Sequence, residues 1–340
     1  MTSLVTGATG FLGSHVARQL AARGERVRVL TRPANDRRAL AEIPVEIVEG
    51  DLRDAASLDR AVAGVERVFH VAADYRLWAR DPREIYASNV TGTRNLLEAA
   101  RRAGVARFIY TSTVATVAVD RPELPSETTE SSLDEMIGHY KRSKWQAENE
   151  VRMAARDGLP AVIVMPTTPV GPGDWKPTPT GKIIVDFLTD KMPGYVQTGL
   201  NFVAVEDAAA GHLLVADKGK IGERYLIGAE NLTLKQVLDA LARITGKRAP
   251  RMKIPHFVAL AAAYADTAFS RLRGREPQIQ IEGVKIAAHM MFVDCGKAQR
   301  ELGFVAGSVE AALERAVRWY EANGYLRAGG TARFAAAKVA

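Results

Sequence analysis

Short apolar runs rich in β-branched residues recur through the first half of the chain: LVT (4–6), VRVLT (27–31), VEIVEG (45–50), RVFHVAA (67–73), RFIYTS (107–112) and AVIVMP (161–166). They are continuous rather than strictly alternating, which is the pattern of strands buried on both faces. Helix-length amphipathic segments separate them: Phe11 to Arg23, Ala55 to Val62, Pro82 to Ala103 and Ser132 to Arg156. Strand and helix alternating at this spacing predict an α/β fold, a doubly wound parallel sheet with helices on both faces.

After Pro166 the texture changes. PTTPVGPGDWKPTPTGK is dense in Pro, Gly and Thr and reads as an ordered loop or excursion. NFVAVEDAAAGHLLVA then offers one more strand and an amphipathic helix that return to the sheet, bringing it to about seven strands. From about Glu223 the elements are short and mixed: a strand in ERYLIG, a capped helix after Thr233, an apolar helix near 257–270 and a last helix from Ser308 to Asn323. The expected division is a dinucleotide-binding domain over 1–166 joined by about 201–217, a smaller substrate-binding part from 167–200 and 218–326, and a loosely ordered tail over 327–340.

Composition narrows the function classes. With 47% hydrophobic and 25% charged residues in 340, the chain has ordinary globular usage and enough length for a large core. The net charge of +7 arises from 46 Lys and Arg interleaved with 39 Asp and Glu, with no run of five like charges, so a nucleic-acid partner is not expected. Cys295 is the only cysteine, and the six histidines stand singly without ligand spacing, so neither a disulfide nor a metal centre is expected. No signal-peptide pattern precedes the first strand, and IPHFVALAAAYADTAF is shorter than the ~20 residues of a membrane span. The expectation is a cytoplasmic protein.

Candidate chemistry begins at GATGFLG. Gly7, Gly10 and Gly13 fall where a strand becomes a helix, the turn whose backbone can approach a pyrophosphate while helix N–H groups supply donors. A side chain at Gly7 or Gly10 would stand between backbone and phosphate, and Gly13 allows close packing of helix on strand; a tight turn without ligand is the plainer alternative. At the end of the second strand an NAD site carries Asp or Glu, but this chain has Thr31 and Arg32, followed by Arg37 and Arg38. Arginine suits a 2′-phosphate, which favours NADP over NAD. Asp51, after the third strand, lies beside the adenine or serves as an N-cap or turn residue. Tyr140 and Lys144, at i and i+4 in GHYKRSK, share a helix face. A phenol with pKa ~10 needs a neighbouring cation to shuttle protons at neutral pH.

The set GATGFLG, FHVAA, NVTGTRNLLEA, YTSTVA and YKRSK resembles the extended short-chain dehydrogenase/reductase family, the NAD-dependent epimerase/dehydratase group, over about residues 2–326. Within it the chain resembles dihydroflavonol-reductase-type proteins and, through DYRLWARDP, GHYKRSK, KPTPTGKIIVDF and GERYLIGAENLTLKQ, hopanoid-associated sugar epimerases. The resemblance implies a Rossmann sheet and an NAD(P)-dependent oxidoreductase or epimerase. It makes Thr113 the hydroxyl that holds the substrate oxygen (Ser112 being second choice), Tyr140 the general acid/base and Lys144 the residue that lowers its pKa and grips the nicotinamide ribose. Asn89 supports the hydrogen-bond network, or is simply a polar helix residue. Thr9, Phe11, Leu12 and Leu52 line the cofactor with the glycines, Ala72 and Ala73 follow the fourth strand against it, and Pro166 and Thr167 abut the nicotinamide.

Related sugar-nucleotide dehydratases place Asp-Glu after the Thr; here Val114 and Ala115 follow, which disfavours dehydration. The resulting expectation is hydride chemistry on a carbonyl or secondary alcohol, with a nucleotide-sugar 4-epimerase as the alternative. His139 is expected at the rim and His70 in packing. Tyr75, Trp78 and Trp175 either clamp a substrate or anchor their loops. The resemblance points to a sugar-like or hopanoid side-chain substrate, free or lipid-linked. The apolar helix before Arg271, Arg273 and Arg275 suits a peripheral membrane contact or, alternatively, the core; a homodimer through the helices of Asn89 and Tyr140 is expected by analogy.

Overall fold

The computed structural model describes residues 1–117 and 121–326; the tail expected over 327–340 lies outside them. The first half runs β1 (Thr2–Thr6), α1 (Phe11–Ala22), β2 (Arg26–Thr31), β3 (Val45–Glu49), α2 (Ala55–Val62) and β4 (Arg67–His70). It continues with α3 (Arg83–Tyr86), a π-helical turn (Ala87–Thr91), α4 (Gly92–Ala103), β5 (Arg107–Thr111), α5 (Gly138–Arg156) and β6 (Ala161–Pro166). The second half comprises β7 (Thr168–Val170), α6 (Pro179–Leu188), β8 (Gly199–Ala204), α7 (Val205–Lys218), β9 (Arg224–Ile227), β10 (Glu230–Thr233) and α8 (Leu234–Thr245). Last come α9 (His256–Leu272), α10 (Ile281–Ile286), β11 (Met290–Met291), α11 (Gly296–Leu302) and α12 (Val309–Ala322).

Seven parallel strands form the main sheet in the order β3-β2-β1-β4-β5-β6-β9. Successive strand residues supply opposite cores, which is why the strands read as unbroken apolar runs. Leu4, Val68 and Phe108 pack with Leu58, Leu96 and Val151 on one face. Val5, Phe69 and Ile109 pack with Val16, Leu20 and Leu213 on the other. A smaller mixed sheet centres on β8, which is antiparallel to β10 and parallel to β7 and β11. With α6, α8 and α12 it encloses a third core around Phe202, Leu238 and Leu313.

Three readings of the second half are corrected. The excursion after Pro166 contains β7 and α6; the Thr178 hydroxyl caps the Gly181 amide and Pro179 occupies the first turn, where a proline needs no donor. The segment expected to return whole to the main sheet is divided: β8 joins the smaller sheet while α7 covers the larger one. The seventh main strand is β9, from ERYLIG, which the sequence reading had assigned to the substrate part. Both strands are almost wholly buried, so hydropathy reveals their burial and not their partner.

Candidate active site

The glycine turn lies between β1 and α1. Gly7 has φ +74, and a Cβ there would come within 2.6 Å of the Ala72 amide nitrogen. The expected reason for Gly7 is thereby corrected: its side chain is excluded by the backbone following β4 and by its left-handed conformation, not by a phosphate. Gly13 admits no Cβ because one would stand 2.3 Å from the Gly7 carbonyl oxygen; α1 therefore packs directly on the turn. At Gly10 a Cβ would meet only that same oxygen, at 3.2 Å, leaving open space above. Gly10 is the N-cap of α1 with no side-chain cap, and the first turn holds no acid. These amides fit a dinucleotide pyrophosphate, with the backbone of Phe11, Leu12 and Gly13 as donors. Thr9 accepts a hydrogen bond from Asn35 Nδ2 at 3.4 Å at the rim of the turn.

Beyond β2 the carboxylates are already engaged. Asp51 is paired with Arg53 at 2.6 Å, which holds its carboxyl below the ordinary range, and Asp54, not Asp51, caps α2. Asp36 is held by Arg38 and Glu49 by Arg37, each at 2.5 Å. Arg32 stands exposed directly after the strand, within electrostatic reach of Asp51. Leu52 and Ala72 line the ends of β3 and β4; the Leu52 carbonyl accepts from Asn95 and the Ala72 amide donates to Thr6 Oγ1. Ala73 follows, half-buried. At the end of β6, Pro166 is buried and Thr167 donates both its amide and its hydroxyl to the Ile227 carbonyl.

The carboxyl edge of β5 meets the start of α5, and there the Thr113 hydroxyl is near enough to the Tyr140 phenol to favour its ionised form. Thr113 is extended, φ −155, and its Oγ1 also accepts from the Ala115 amide at 3.2 Å. Burial raises the Tyr140 phenol above its usual value, and the nearby Thr113 hydroxyl offsets only part of this. The expectation that Lys144 lowers it is not met in this structure. The ammonium turns instead to Tyr110 Oη at 2.8 Å and the Thr111 carbonyl at 2.7 Å. Burial pulls Lys144 down to about 7, against the opposing pull of Glu148.

Ser112 is unavailable as an alternative hydroxyl, because it donates to Glu148 deep in the core. Thr111 is bound to His212 at 3.0 Å. His70 bridges Thr6 and Thr93 at 2.8 and 2.9 Å, and burial lowers it to about 3, so it is a neutral packing residue. His139 lies exposed against Tyr86.

Asn89 is 3 % exposed within the π-helical turn, a local geometry frequent at functional sites. Its Nδ2 donates to the Asp74 carbonyl and to Ser143 Oγ, both at 2.9 Å, and its Oδ1 accepts from the Asp74 amide at 2.7 Å. Ser143 Oγ in turn donates to the Tyr140 carbonyl. Asn89 thus ties the loop after β4 to the helix turn that carries Tyr140. On that loop Tyr75 is 40 % exposed and within electrostatic reach of Tyr140; Trp78 is half-buried further along. Trp175 is an anchor and not a clamp: it packs edge-on against Trp319 at 4.9 Å and beneath Arg38 at 4.6 Å. A cavity of about 710 Å³ opens beside the start of α5, lined among others by Ile137, Gly138, Arg142 and Leu260.

Sequence reasoning missed Tyr110, Glu148 and Ser143. Glu148 is one turn beyond Lys144, a spacing that could have signalled it; Tyr110 lies inside a strand and offered no signal.

The NAD dependent epimerase/dehydratase family model matches residues 3–228. A relative from Synechocystis sp., which carries a provisional dihydroflavonol 4-reductase name, is 43% identical over 328 residues, 95% of each chain. Sterol demethylase protein B of Methylococcus capsulatus is 38% identical over 328 residues, covering 96% of this chain and 100% of its own. The crystal structure of gox2253 superposes with TM-score 0.85 at 44% identity, over 96% of this chain and 99% of that one. With the glycine turn, the seven-stranded sheet and the Thr113–Tyr140 pair in place, these matches show that the chain belongs to the NAD dependent epimerase/dehydratase family, the extended short-chain dehydrogenase/reductases, as an NAD(P)-dependent oxidoreductase or epimerase.

Proposed function

We propose that the protein is an NADP(H)-dependent oxidoreductase acting on a carbonyl or secondary alcohol of a polycyclic or lipid-linked substrate, such as a sugar-like or hopanoid side chain. The observation that carries this reading is the placing of the Thr113 hydroxyl beside the Tyr140 phenol, with two buried apolar residues, Val114 and Ala115, next along the chain. Two hydroxyls can hold and protonate one oxygen, whereas removal of a carbon-bound proton and a leaving hydroxyl would need a further acid and base that this strand end lacks. A nicotinamide dinucleotide, when bound, supplies the hydride. Tyr140 gives its phenolic proton to the substrate oxygen, Thr113 hydrogen-bonds that oxygen as it gains negative charge, and the buried setting strengthens both contacts. In the oxidising direction Tyr140 acts from its phenolate form, which takes up the alcohol proton. Thr113 is itself held in place by the Ala115 amide.

The substrate class rests on the relatives named for a dihydroflavonol reductase and a sterol demethylase protein, both of which denote polycyclic frameworks. The preference for NADP rests on Arg32, since Asp36, Glu49 and Asp51, the acids that could receive a ribose 2′-hydroxyl, are each paired with an arginine.

Tyr140→Phe removes the proton donor and keeps the ring. Turnover with NADPH should fall by at least 10³-fold, at the upper part of the range for general acid catalysis, while cofactor affinity stays within about twofold. A variant as active as the parent sinks the assignment. Heating the purified protein and identifying the nucleotide released separates the alternative: NAD held through purification would mark a 4-epimerase, and freely exchanging NADPH a reductase.

A further inference from the structure

Helix α9 presents its apolar residues outward. Only Ala263, Thr267 and Ser270 are buried, whereas Phe257 is 73 % exposed, Tyr264 52 %, Phe269 46 % and Leu272 87 %. At about 100° per residue, these four, Val258 and the exposed alanines between them fall within an arc of about 160° opposite the buried three. Soluble surfaces scatter single apolar side chains, and a contiguous arc marks a surface that something covers.

Charge says what covers it. From Arg251 to Glu276 there are five Lys and Arg against two acids. Asp266, the one acid on the helix, accepts from the Ile279 amide at 2.8 Å and the Ser270 hydroxyl, facing away from the apolar arc. Arg273 stacks over the Phe269 ring at 4.1 Å, and Arg251, Arg271 and Arg273 are all exposed. A second copy of the chain docking face to face would bring these cations against their own equivalents. Arg275 is paired with Asp266 at 3.6 Å, but Arg251, Arg271 and Arg273 have no acidic partner among the described residues, and an apolar face rimmed by such cations is complementary to anionic headgroups over acyl chains. No helix among the described residues is long and apolar enough to cross a membrane, so the geometry is that of a helix lying along a surface.

We propose that α9 docks the protein onto an anionic lipid membrane, with Phe257, Tyr264, Phe269 and Leu272 entering the headgroup–acyl boundary and Arg251, Arg271 and Arg273 meeting the phosphates. The cavity beside the Tyr140 helix is walled by His256, Phe257 and Leu260 of the same α9. Docking therefore brings that opening to the bilayer surface. This goes beyond the proposed reaction and is read without turnover.

The test is flotation of the full-length protein with phosphatidylcholine vesicles and with vesicles containing phosphatidylglycerol. The protein should float with the anionic vesicles and not the neutral ones, and 0.5 M salt should weaken binding. Tyr264→Ser, Phe269→Ser and Leu272→Ser combined should reduce partitioning at least tenfold with the melting temperature unchanged, because all three side chains are exposed. Arg271→Glu with Arg273→Glu should do the same. The proposal is overturned by no flotation with either vesicle, by equal flotation with neutral vesicles, or by variants that float like the parent. A doubled mass in sedimentation equilibrium that the triple serine variant abolishes would assign the face to a second copy and overturn it as well.

Discussion

Glu148 is the most informative single position for testing how the sheet is joined to the catalytic helix. It is 3 % exposed on α5, and its Oε2 accepts from Thr116 Oγ1 at 3.0 Å and from Ser112, while its Oε1 faces Arg224 Nη1 of β9 at 3.3 Å. Glu148→Gln keeps the shape and replaces one acceptor oxygen by a donor, so a buried guanidinium or hydroxyl loses its partner. Breaking a buried ion pair from one side costs about 3–5 kcal/mol. Two features soften the loss: Arg224 also donates to the Glu127 and Thr129 carbonyls, and Glu130 lies 3.4 Å away. Glu130 is 67 % exposed and contributes little, so the expected cost is about 2–4 kcal/mol. That is a large part of the roughly 5–15 kcal/mol that holds a domain folded. Urea denaturation at unchanged m reads it directly. Glu148→Leu combined with Arg224→Met should recover only part of the loss: the desolvation of both charges is removed together, but the Ser112 hydroxyl and the Glu127 and Thr129 carbonyls lose their partners. Glu148→Gln should also move the Lys144 titration below about 7, since Glu148 is the group that opposes burial there. A loss under about 1 kcal/mol, or a Lys144 titration that rises, would refute the reasoning.

Three further outcomes follow from the site. Gly10→Ala should lose cofactor binding with little change in melting temperature, whereas Gly13→Ala, whose Cβ would sit 2.3 Å from the Gly7 oxygen, should lose both; calorimetric titration beside thermal melting separates them, and a strongly binding Gly10→Ala would contradict the pyrophosphate placement. Arg32→Ser should weaken NADPH about 10- to 100-fold, the worth of a charge-assisted hydrogen bond, and leave NADH unchanged; an equal loss for both would remove the 2′-phosphate role. Burial holds His70 at about 3 and His212 at about 4. Between pH 6.5 and 4 the unfolded chain therefore takes up protons the folded chain refuses, and stability falls as pH falls. His212→Gln should flatten that decline by roughly 3 kcal/mol, measured by urea titrations at pH 7 and pH 4; an unchanged slope would show that His212 is not buried neutral.

The parts legible in the sequence are those whose cause is local. The strand pairs Leu4/Val5, Val68/Phe69 and Phe108/Ile109 face opposite cores and are all fully buried, so apolar continuity alone announces a sheet covered on both sides. The turn glycines are equally local, although their reasons differ from one another: Gly7 is excluded by Ala72 and Gly13 by Gly7 itself, contacts that a spacing rule does not contain. The pairing of Thr113 with Tyr140 was reached through a joint motif, and the direction of Lys144 was not, because Tyr110 competes for its ammonium from within a strand. The Glu148–Arg224 link spans 76 residues of chain; on the sequence each is one charge among many.

Apolarity reports that a residue is removed from water and says nothing of what removes it, and three segments show the consequence. β8 and β9 are both buried strands, yet one completes the small sheet and the other the large one. The same ambiguity at α9 takes a sharper form. Its run of Ala, Phe and Leu is as apolar as a core helix, and the fold supplies neighbours for only one narrow side of it. A core helix would show small and large residues shared among several neighbours, whereas here the large side chains Phe257, Phe269 and Leu272 are all exposed. An apolar surface kept exposed carries a liability for aggregation unless it has a partner. The cations at both ends of α9 therefore carry the deciding information, since they distinguish a lipid surface from a second protein, and hydropathy contains no trace of that distinction.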